Sequence, residues 1–168
     1  MNKLLIKLNA CQDARQWAKG KTWQEIFDTC HRGDWLLWLF YHTNGDRKLL
    51  TLAKGHCANT VRHLMKDERS IKAVDAAISF GNGEITRDEL NAAAAYAAAA
   101  AYDAAAYAAA AAAYAAAAAY DAAAAAAAAA ADTYAARTKN RQLTANICRK
   151  YLPIEVWSIT PEGALIVK

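Results

Sequence analysis

The alanine-rich tract Ala92–Asp132 is the feature that most restricts how this chain can fold. Alanine has the highest intrinsic helix propensity because its side chain loses no conformational freedom in a helix. The residues just before the tract form a capping box, in which Thr86 and Glu89 can each bond the backbone N–H group of the other. The pattern therefore predicts helix from Asp88 onward, in a chain that is all-α or nearly so.

Tyrosine and aspartate interrupt the alanine in a regular order. On a helical wheel at about 100° per residue, they fall on two stripes. The first stripe holds Tyr96, Tyr107, Tyr114, Asp103, Asp121 and Asp132, and the second holds Tyr102, Tyr120 and Tyr134. Because tyrosine joins a large apolar ring to a polar tip, these stripes are predicted to contact a partner. The predicted partner-binding residues are Tyr96, Tyr102, Tyr107, Tyr114, Tyr120, Asp103 and Asp121.

The length of the tract poses a geometric problem. An unbroken helix from Asp88 to Tyr151 would be about 95 Å long, whereas a compact domain of this size is about 40 Å across. The tract has no glycine or proline, so its aspartates are the only internal helix caps. We expect a multi-helix bundle in which the tract folds back near Asp103, Asp121 or Asp132, with one long helix as the alternative.

Turn and capping signals divide residues 10–81 into short helices. Thr22 and Glu25 form a second capping box, and Asp34 and Asp46 are expected N-caps. Pro153 should stop the last helix, and the tail 154–168 could form a small hairpin with Lys3–Leu8 as a partner strand. The predicted short helices are Cys11–Lys19, stopped by Gly20; one from Thr22 to near Gly33; Trp35–His42; one after Asp46; and one from Asp67 or Ser70, closed by Gly81-Asn82-Gly83.

We expect a single domain, 1–168, because 168 residues is the size of one domain. Its parts are an aromatic-rich half (10–81), the alanine- and tyrosine-rich tract with a basic last helix (86–152), and an extended tail (153–168). Alanine buries little area, so the core should come from large residues within 4–80 and 143–167. Four tryptophans fall in the first region and are expected to form a core cluster rather than a binding surface: Trp17, Trp23, Trp35 and Trp38.

No catalytic signature is present, so we expect a protein that is not an enzyme and uses no cofactor. A zinc site would have to draw on Cys30, His31, His56, Cys57 and His63. These occur as adjacent pairs, and adjacent side chains on a helix diverge by about 100°, which disfavours shared coordination. The four cysteines include no C-x-x-C pair, and no signal peptide is visible, which favours a cytoplasmic protein with free thiols.

Charge restricts the choice of partner. The tract's aspartates would each cost about 2.5–3.5 kcal/mol at mid-bilayer, which disfavours a membrane span. The five bases of Arg137–Lys150 are interpreted as a solvated helix face rather than a nucleic-acid site, because no aromatic-interleaved basic patch accompanies them.

Two other kinds of binding stay open from the sequence. One is self-assembly through the alanine faces. The other is binding of a nucleotide between helices, with the phosphate contacted by Arg32, Arg62, His63 or Arg69.

The more specific pattern precedes the tract. It comprises Ala10-Cys11-Gln12-Asp13-Ala14, Trp17, Trp23 and Cys30-His31-Arg32-Gly33-Asp34-Trp35-Leu36-Leu37-Trp38-Leu39. Together with the alanine tract and a basic helix that closes with Ile147-Cys148-Arg149-Lys150-Tyr151-Leu152-Pro153, it resembles the all-α immunity proteins of bacterial polymorphic toxin systems, which also occur in phages. The resemblance spans residues 10–153.

This resemblance implies a non-enzymatic protein that binds and neutralises a toxin or, in a phage, a host defence component. It singles out Cys30, His31, Arg32, Gly33, Asp34, Trp35 and Trp38 as family-motif residues. Small-molecule binding and structural self-assembly are the alternatives.

Overall fold

The computed structural model describes residues 1–43, 45–65, 67–99 and 122–166, and for 122–134 it describes the backbone alone. The described residues form an all-α, multi-helix fold, as the sequence predicts. Short 3-10 turns lie at Arg62–Leu64 and Ile154–Val156. The α-helices are α1 (Asn2–Lys7), α2 (Gln12–Trp17), α3 (Trp23–Thr29), α4 (Gly33–His42), α5 (Arg47–Asn59), α6 (Glu68–Asn82), α7 (87–99, to the end of that described range) and α8 (Ala122–Tyr151).

Both predicted capping boxes are confirmed. Thr22 Oγ1 accepts from the Glu25 N–H group at 3.2 Å, and the Thr22 N–H group donates to Glu25 Oε2 at 2.7 Å. Thr86 and Glu89 make the same reciprocal bonds, at 3.3 and 2.8 Å, at the start of α7. Asp46 caps α5 as expected. These local bonds satisfy N–H groups that the first helical turn leaves without partners.

Other helix boundaries differ from the prediction. Helix α3 ends at Thr29 rather than near Gly33, and Cys30 is already extended. Helix α4 begins at Gly33 with Arg32 as its N-cap, so the expectation that Asp34 caps this helix is wrong. The Asp34 carboxylate lies in the first turn and accepts from the Arg32 guanidinium instead. The side-chain ion pair competes with capping because both need the same carboxylate oxygens.

Asp67, rather than Ser70, caps α6, because its carboxylate accepts from the Arg69 N–H group at 2.8 Å. The helix ends at Asn82 with Gly83 as its C-cap, φ +83°, as the sequence predicts. Glycine within α6 permits close packing, since a Cβ at Gly81 would lie 2.4 Å from Leu52 of α5.

The prediction of a strand at Lys3–Leu8 is wrong. These residues belong to α1 and its C-cap, and α1 buries Leu4 and Leu5 side by side in the core. The tail instead pairs with itself, through an antiparallel bridge between Ile159 and Leu165. A turn at Gly163, with φ +81°, makes that pairing possible without a second chain segment.

The core consists of large residues from α1, α3, α4 and α5, the end of α8 and the tail, as the sequence predicts. Trp157 lies at its centre, with ring centroids 4.9 Å from Trp23, 6.1 Å from Phe27 and 4.8 Å from Phe40. Its indole N–H group donates to the Leu152 carbonyl at 2.9 Å, so the buried polar atom has a partner.

Helix α8 crosses α4 at very close range. A Cβ placed on Gly33 would lie 2.5–2.7 Å from atoms of Thr144, backbone included. Farther along the chain, Ala145 and Cys148 of α8 and Leu152, which directly follows it, are fully buried. Only glycine at the start of α4 permits this approach, because any side chain would meet the backbone of α8.

The alanine tract is described only at its two ends. Helix α8 runs through Asp132 without interruption, so a break at Asp132 is wrong. The possible breaks at Asp103 and Asp121 lie outside the described residues. So do most of the predicted partner-binding tyrosines, namely Tyr102, Tyr107, Tyr114 and Tyr120. The choice between one long helix and a fold-back therefore stays a prediction.

We predict that Gly33→Ala destabilises the fold by about 2 kcal/mol, because the new methyl group overpacks the contact between α4 and α8. Gly20→Ala is the matched control. It has nothing within 4 Å and φ +80°, so conformational strain alone should cost about 1 kcal/mol. Chemical denaturation would measure both changes, and equal losses at the two positions would contradict the packing argument.

Candidate functional site

A pocket of about 490 Å³ opens between α2 and α4, with the end of α1 and one side of α3 completing its walls. We call it the aromatic pocket. Three tryptophans supply its aromatic surface, and most of the remaining lining is aliphatic. Its lining residues are Leu5, Asn9, Ala10, Cys11, Ala14, Trp17, Ala18, Ile26, Cys30, Asp34, Trp35, Leu36, Trp38 and Leu39.

Helical spacing explains why these side chains converge. On α2 and its C-cap, Ala14, Trp17 and Ala18 are three and four positions apart, so they share one face. On α4, Trp35 and Trp38 repeat this spacing. Because α2 presents two alanines beside its tryptophan, that face is recessed and leaves the space that forms the pocket.

Aromatic contacts fix one side of the pocket. The rings of Trp17 and Trp35 have centroids 6.0 Å apart at an interplanar angle of 54°. The exposed His31 ring completes a three-ring cluster, 5.9 Å from Trp17 and 6.2 Å from Trp35. Such tilted and edge-on arrangements are favourable for aromatic rings. These side-chain contacts link α2 to α4 at one edge of the pocket.

Two cations cover tryptophan faces near the pocket. Lys21 Nζ lies 4.2 Å from the Trp17 ring centroid, and the Arg32 guanidinium lies 4.6 Å from that of Trp35. Arg32 Nε also donates to Asp34 Oδ1 at 2.8 Å. The hydrogen bond from Arg32 lowers the pKa of Asp34, and the same bond raises the pKa of Arg32. The one carboxylate in the lining is therefore ionised and already paired.

Two cysteines line the pocket in different environments. Cys11 is exposed and Cys30 is buried, with its thiol donating to the Arg32 carbonyl at 3.4 Å. Burial raises the pKa of Cys30, whereas an activated cysteine nucleophile needs a lowered one. The arrangement favours binding of an apolar group over covalent chemistry at Cys30.

The motif that carries the family resemblance converges on this pocket. Cys30, Asp34, Trp35 and Trp38 line it. His31 and Arg32 contact the tryptophan rings beside it. Gly33, the remaining motif residue, is the first residue of α4 and packs against Thr144 of α8.

Tyr96 is the one predicted partner-binding residue whose side chain the structure describes. It is exposed on α7 and lies 5.7 Å, centroid to guanidinium, from Arg69. It does not belong to the pocket lining.

The three arginines proposed for nucleotide binding are each bonded to a carboxylate. Arg62 Nη2 donates to Asp75 at 2.9 Å, and Arg69 Nη2 donates to Asp67 at 2.8 Å. These bonds lower the pKa of both carboxyls. Arg32 lies at the aromatic pocket, bonded to Asp34, and His63 is an exposed residue of the 3-10 turn. Each guanidinium thus already holds a carboxylate where a phosphate would have to bind.

Sequence reasoning missed part of the site. The small residues Ala14 and Ala18 create the recess, and Cys11 carries an exposed thiol into it, yet neither property marks a binding residue in a sequence. The sequence signal for the pocket was helical spacing: Trp17 shares a helix face with Ala14 and Ala18, and Trp35 shares one with Trp38. That spacing indicates that each set lies on one face of its helix, but it does not predict an open space between the two helices.

Within the described ranges, no group of three or more His, Cys, Asp and Glu side chains is placed to hold a metal ion. In the same ranges, no helix combines the length and apolar character needed to cross a membrane. No protein-family model matches the chain, and neither a curated protein nor a solved structure matches it. The class defined by the geometry is thus a helical protein with an apolar, tryptophan-lined pocket.

We predict that Arg32→Gln raises the pKa of Asp34 toward its usual range, because the variant loses the charged hydrogen-bond donor. Carboxyl NMR titration would measure this, with Arg62→Gln as a control that should affect Asp75 and leave Asp34 unchanged. A depressed carboxyl pKa stabilises the fold above the unfolded-state pKa, and that contribution is lost as pH falls through the folded-state pKa. The variant should therefore show a weaker stability loss below about pH 4. An unchanged Asp34 titration would contradict the pairing.

Proposed function

We propose that this protein is a non-enzymatic inhibitor of the immunity type, which binds another protein and anchors it through the aromatic pocket. One observation carries the proposal: of the seven family-motif residues, Cys30, Asp34, Trp35 and Trp38 line the pocket, and His31 and Arg32 contact the ring of Trp35. A motif needed only for folding would be expected to be buried, whereas Asp34, Trp35 and Trp38 keep exposed surface.

The composition of the pocket suits an anchoring contact. Protein interfaces draw most of their binding energy from a few large side chains that fill well-packed pockets, and tryptophan is enriched at such sites. Trp17, Trp35 and Trp38 are all partly buried, so an incoming group would complete their burial. The occupant we propose is a large apolar side chain of the partner, such as leucine, methionine or phenylalanine.

The surroundings of the pocket suit the edge of an interface. The pair Arg32–Asp34 and the ammonium group of Lys21 surround apolar surface with polar groups, and a polar rim of this kind keeps water away from a central anchor. The partner would be a toxin effector or, for a phage gene, a host defence component. Tyr96, which is exposed on α7 and lies outside the pocket lining, is a separate candidate contact for the same partner.

Site-specific photo-cross-linking would identify the partner. A benzoylphenylalanine residue in place of the exposed His31 borders the pocket without filling its recess, and the same residue in place of the exposed Ala136 on α8 is the matched control. In the native host, position 31 should give one discrete protein adduct that position 136 does not give. The purified partner should be toxic to test cells, and the wild-type chain should abolish that toxicity. Equal adducts at both positions, or a partner whose activity the chain leaves unchanged, would exclude the proposal.

We predict that Ala14→Trp weakens binding of that partner at least tenfold, about 1.4 kcal/mol, because the new indole occupies the recess. The fold should survive, since Ala14 borders open space rather than packed core. Calorimetric titration with the purified partner that cross-linking identifies would measure the loss. Ala136→Trp should bind that partner like wild type. Unchanged affinity in the Ala14 variant would remove the pocket from the interface.

A second candidate function is the binding of a small apolar molecule in the same pocket. The observation that favours it is the pocket volume of about 490 Å³, because small-molecule sites typically measure about 300–1,000 Å³ and are mostly apolar. An uncharged aromatic ligand fits this lining better than the nucleotide considered from the sequence, because the nearby Arg32 already holds Asp34.

Thermal shift assays would separate the two functions. Under small-molecule binding, naphthol should raise the melting temperature of the wild type by several degrees, and Ala14→Trp should abolish that rise. Nucleotides should have no effect on either protein. If naphthol has no effect while the cross-linked partner still binds, the pocket serves the protein partner alone.

A further inference from the structure

Two thiols that no part of the proposed function uses face each other across the interface of α5 and α8. Cys57 Sγ and Cys148 Sγ lie 4.0 Å apart, although the residues are 91 positions apart in the chain. Cys148 is fully buried, whereas Cys57 is only partly buried. The pair therefore joins a partly exposed residue to a fully buried one.

Backbone carbonyls hold the two thiols in this arrangement. Cys57 Sγ lies 3.7 Å from the Thr144 carbonyl oxygen, and Cys148 Sγ lies 3.6 Å from that of Gly33. Both carbonyls belong to the close contact between α4 and α8. The two sulfurs are thus positioned by the packing of three helices, rather than by chance proximity on a flexible surface.

The shared hydrogen bond gives the two cysteines different reactivities. It lowers the pKa of Cys57 and raises the pKa of Cys148. Because the thiolate is the reactive form, Cys57, which is also the less buried residue, is the better nucleophile of the two. Cys30, the other buried thiol, donates to the Arg32 carbonyl and has a pKa raised by burial.

We propose that Cys57 and Cys148 form an oxidisable dithiol, which small-molecule disulfides such as oxidised glutathione convert into a disulfide bond that locks α5 to α8. The Sγ atoms need to approach from 4.0 Å to about 2.05 Å. Each sulfur therefore moves by about 1 Å, which a modest side-chain rotation provides. The inference is independent of what occupies the aromatic pocket.

The reaction proceeds in two exchange steps. The Cys57 thiolate attacks one sulfur of oxidised glutathione, forms a mixed disulfide and releases one glutathione thiolate. Cys148 then attacks Cys57 Sγ and displaces the second glutathione as a thiolate, which takes up the proton that Cys148 loses. The protein is oxidised by two electrons, and one oxidised glutathione is reduced to two glutathione molecules.

Oxidation would change the fold at a defined place. The new bond closes a loop that includes the whole alanine tract, and constraining so long a loop restricts the unfolded chain strongly. It also removes the thiol hydrogen that Cys148 directs at Gly33, the first residue of α4. The oxidised protein should therefore be more resistant to unfolding, with a local change at the start of the helix that carries Trp35 and Trp38.

The test uses the full chain with Cys11→Ser, which removes the exposed thiol that would otherwise form adducts. After incubation with oxidised glutathione, the number of free thiols should fall from three to one, and the intact mass should decrease by two hydrogen atoms. Peptide mapping should join Cys57 to Cys148. The melting temperature should rise by about 10 °C and return to its starting value with reductant.

Two further variants keep the result interpretable. Cys57→Ser replaces a partly exposed residue, so it should fold, and it should lose the mass change, the cross-link and the thermal shift. Cys30→Ser, in the same Cys11→Ser background, should keep all three. The proposal is overturned if the Cys11→Ser protein retains three thiols, if mapping joins Cys30 to Cys148, or if Cys57→Ser shows the same thermal shift.

Discussion

The side chain of Arg149 makes the interaction on which the candidate site depends. Its Nε donates to the Phe27 carbonyl at 2.7 Å, and its Nη2 donates to the Cys30 carbonyl. Those carbonyls lie at the C-terminal end of α3, where a helix leaves its last C=O groups without partners and carries partial negative charge. A cation from α8 satisfies both requirements, and it joins segments 122 and 119 positions apart.

The aromatic pocket lies next to this junction. Arg149 bonds the extended link at Cys30, between the end of α3 at Thr29 and the start of α4 at Gly33, which contacts Thr144. Trp35 and Trp38 follow on α4 and line the pocket opposite Ala14 of α2.

The sequence predicts what depends on local chemistry. The capping boxes at Thr22 and Thr86 were predictable because their partners lie three residues away, and so was the end of α8 before Pro153. The role of Gly33 was not, because a glycine followed by aspartate has the same local pattern whether it ends one helix or begins the next. What decided it is Thr144 on a distant helix, a contact that no local pattern encodes.

Arg149 shows the same limit at the site. In the sequence it is one of five bases in Arg137–Lys150, where solvation is the reasonable interpretation, and Arg137, Lys139 and Lys150 are indeed exposed. Arg149 differs only because the unpaired carbonyls of α3 lie within its reach. The pocket was hidden for a related reason, since a recess is defined by the small residues that line it. Sequence patterns reveal the large tryptophans, but they do not reveal the space that Ala14 and Ala18 leave beside them.

This division also explains the change in composition along α8. Alanine supports helix formation but buries little area, so a helix of alanine alone has little with which to select a packing partner. Larger and polar residues return from Arg137 onward, and Ala145, Cys148 and Leu152 then form the buried stripe. Among the side chains that the structure describes on α8, those of Thr144 and Cys148 contact α4 or α5, and both belong to this distinctive stretch. The packing that places the start of α4 next to α8 therefore rests on these larger and polar residues.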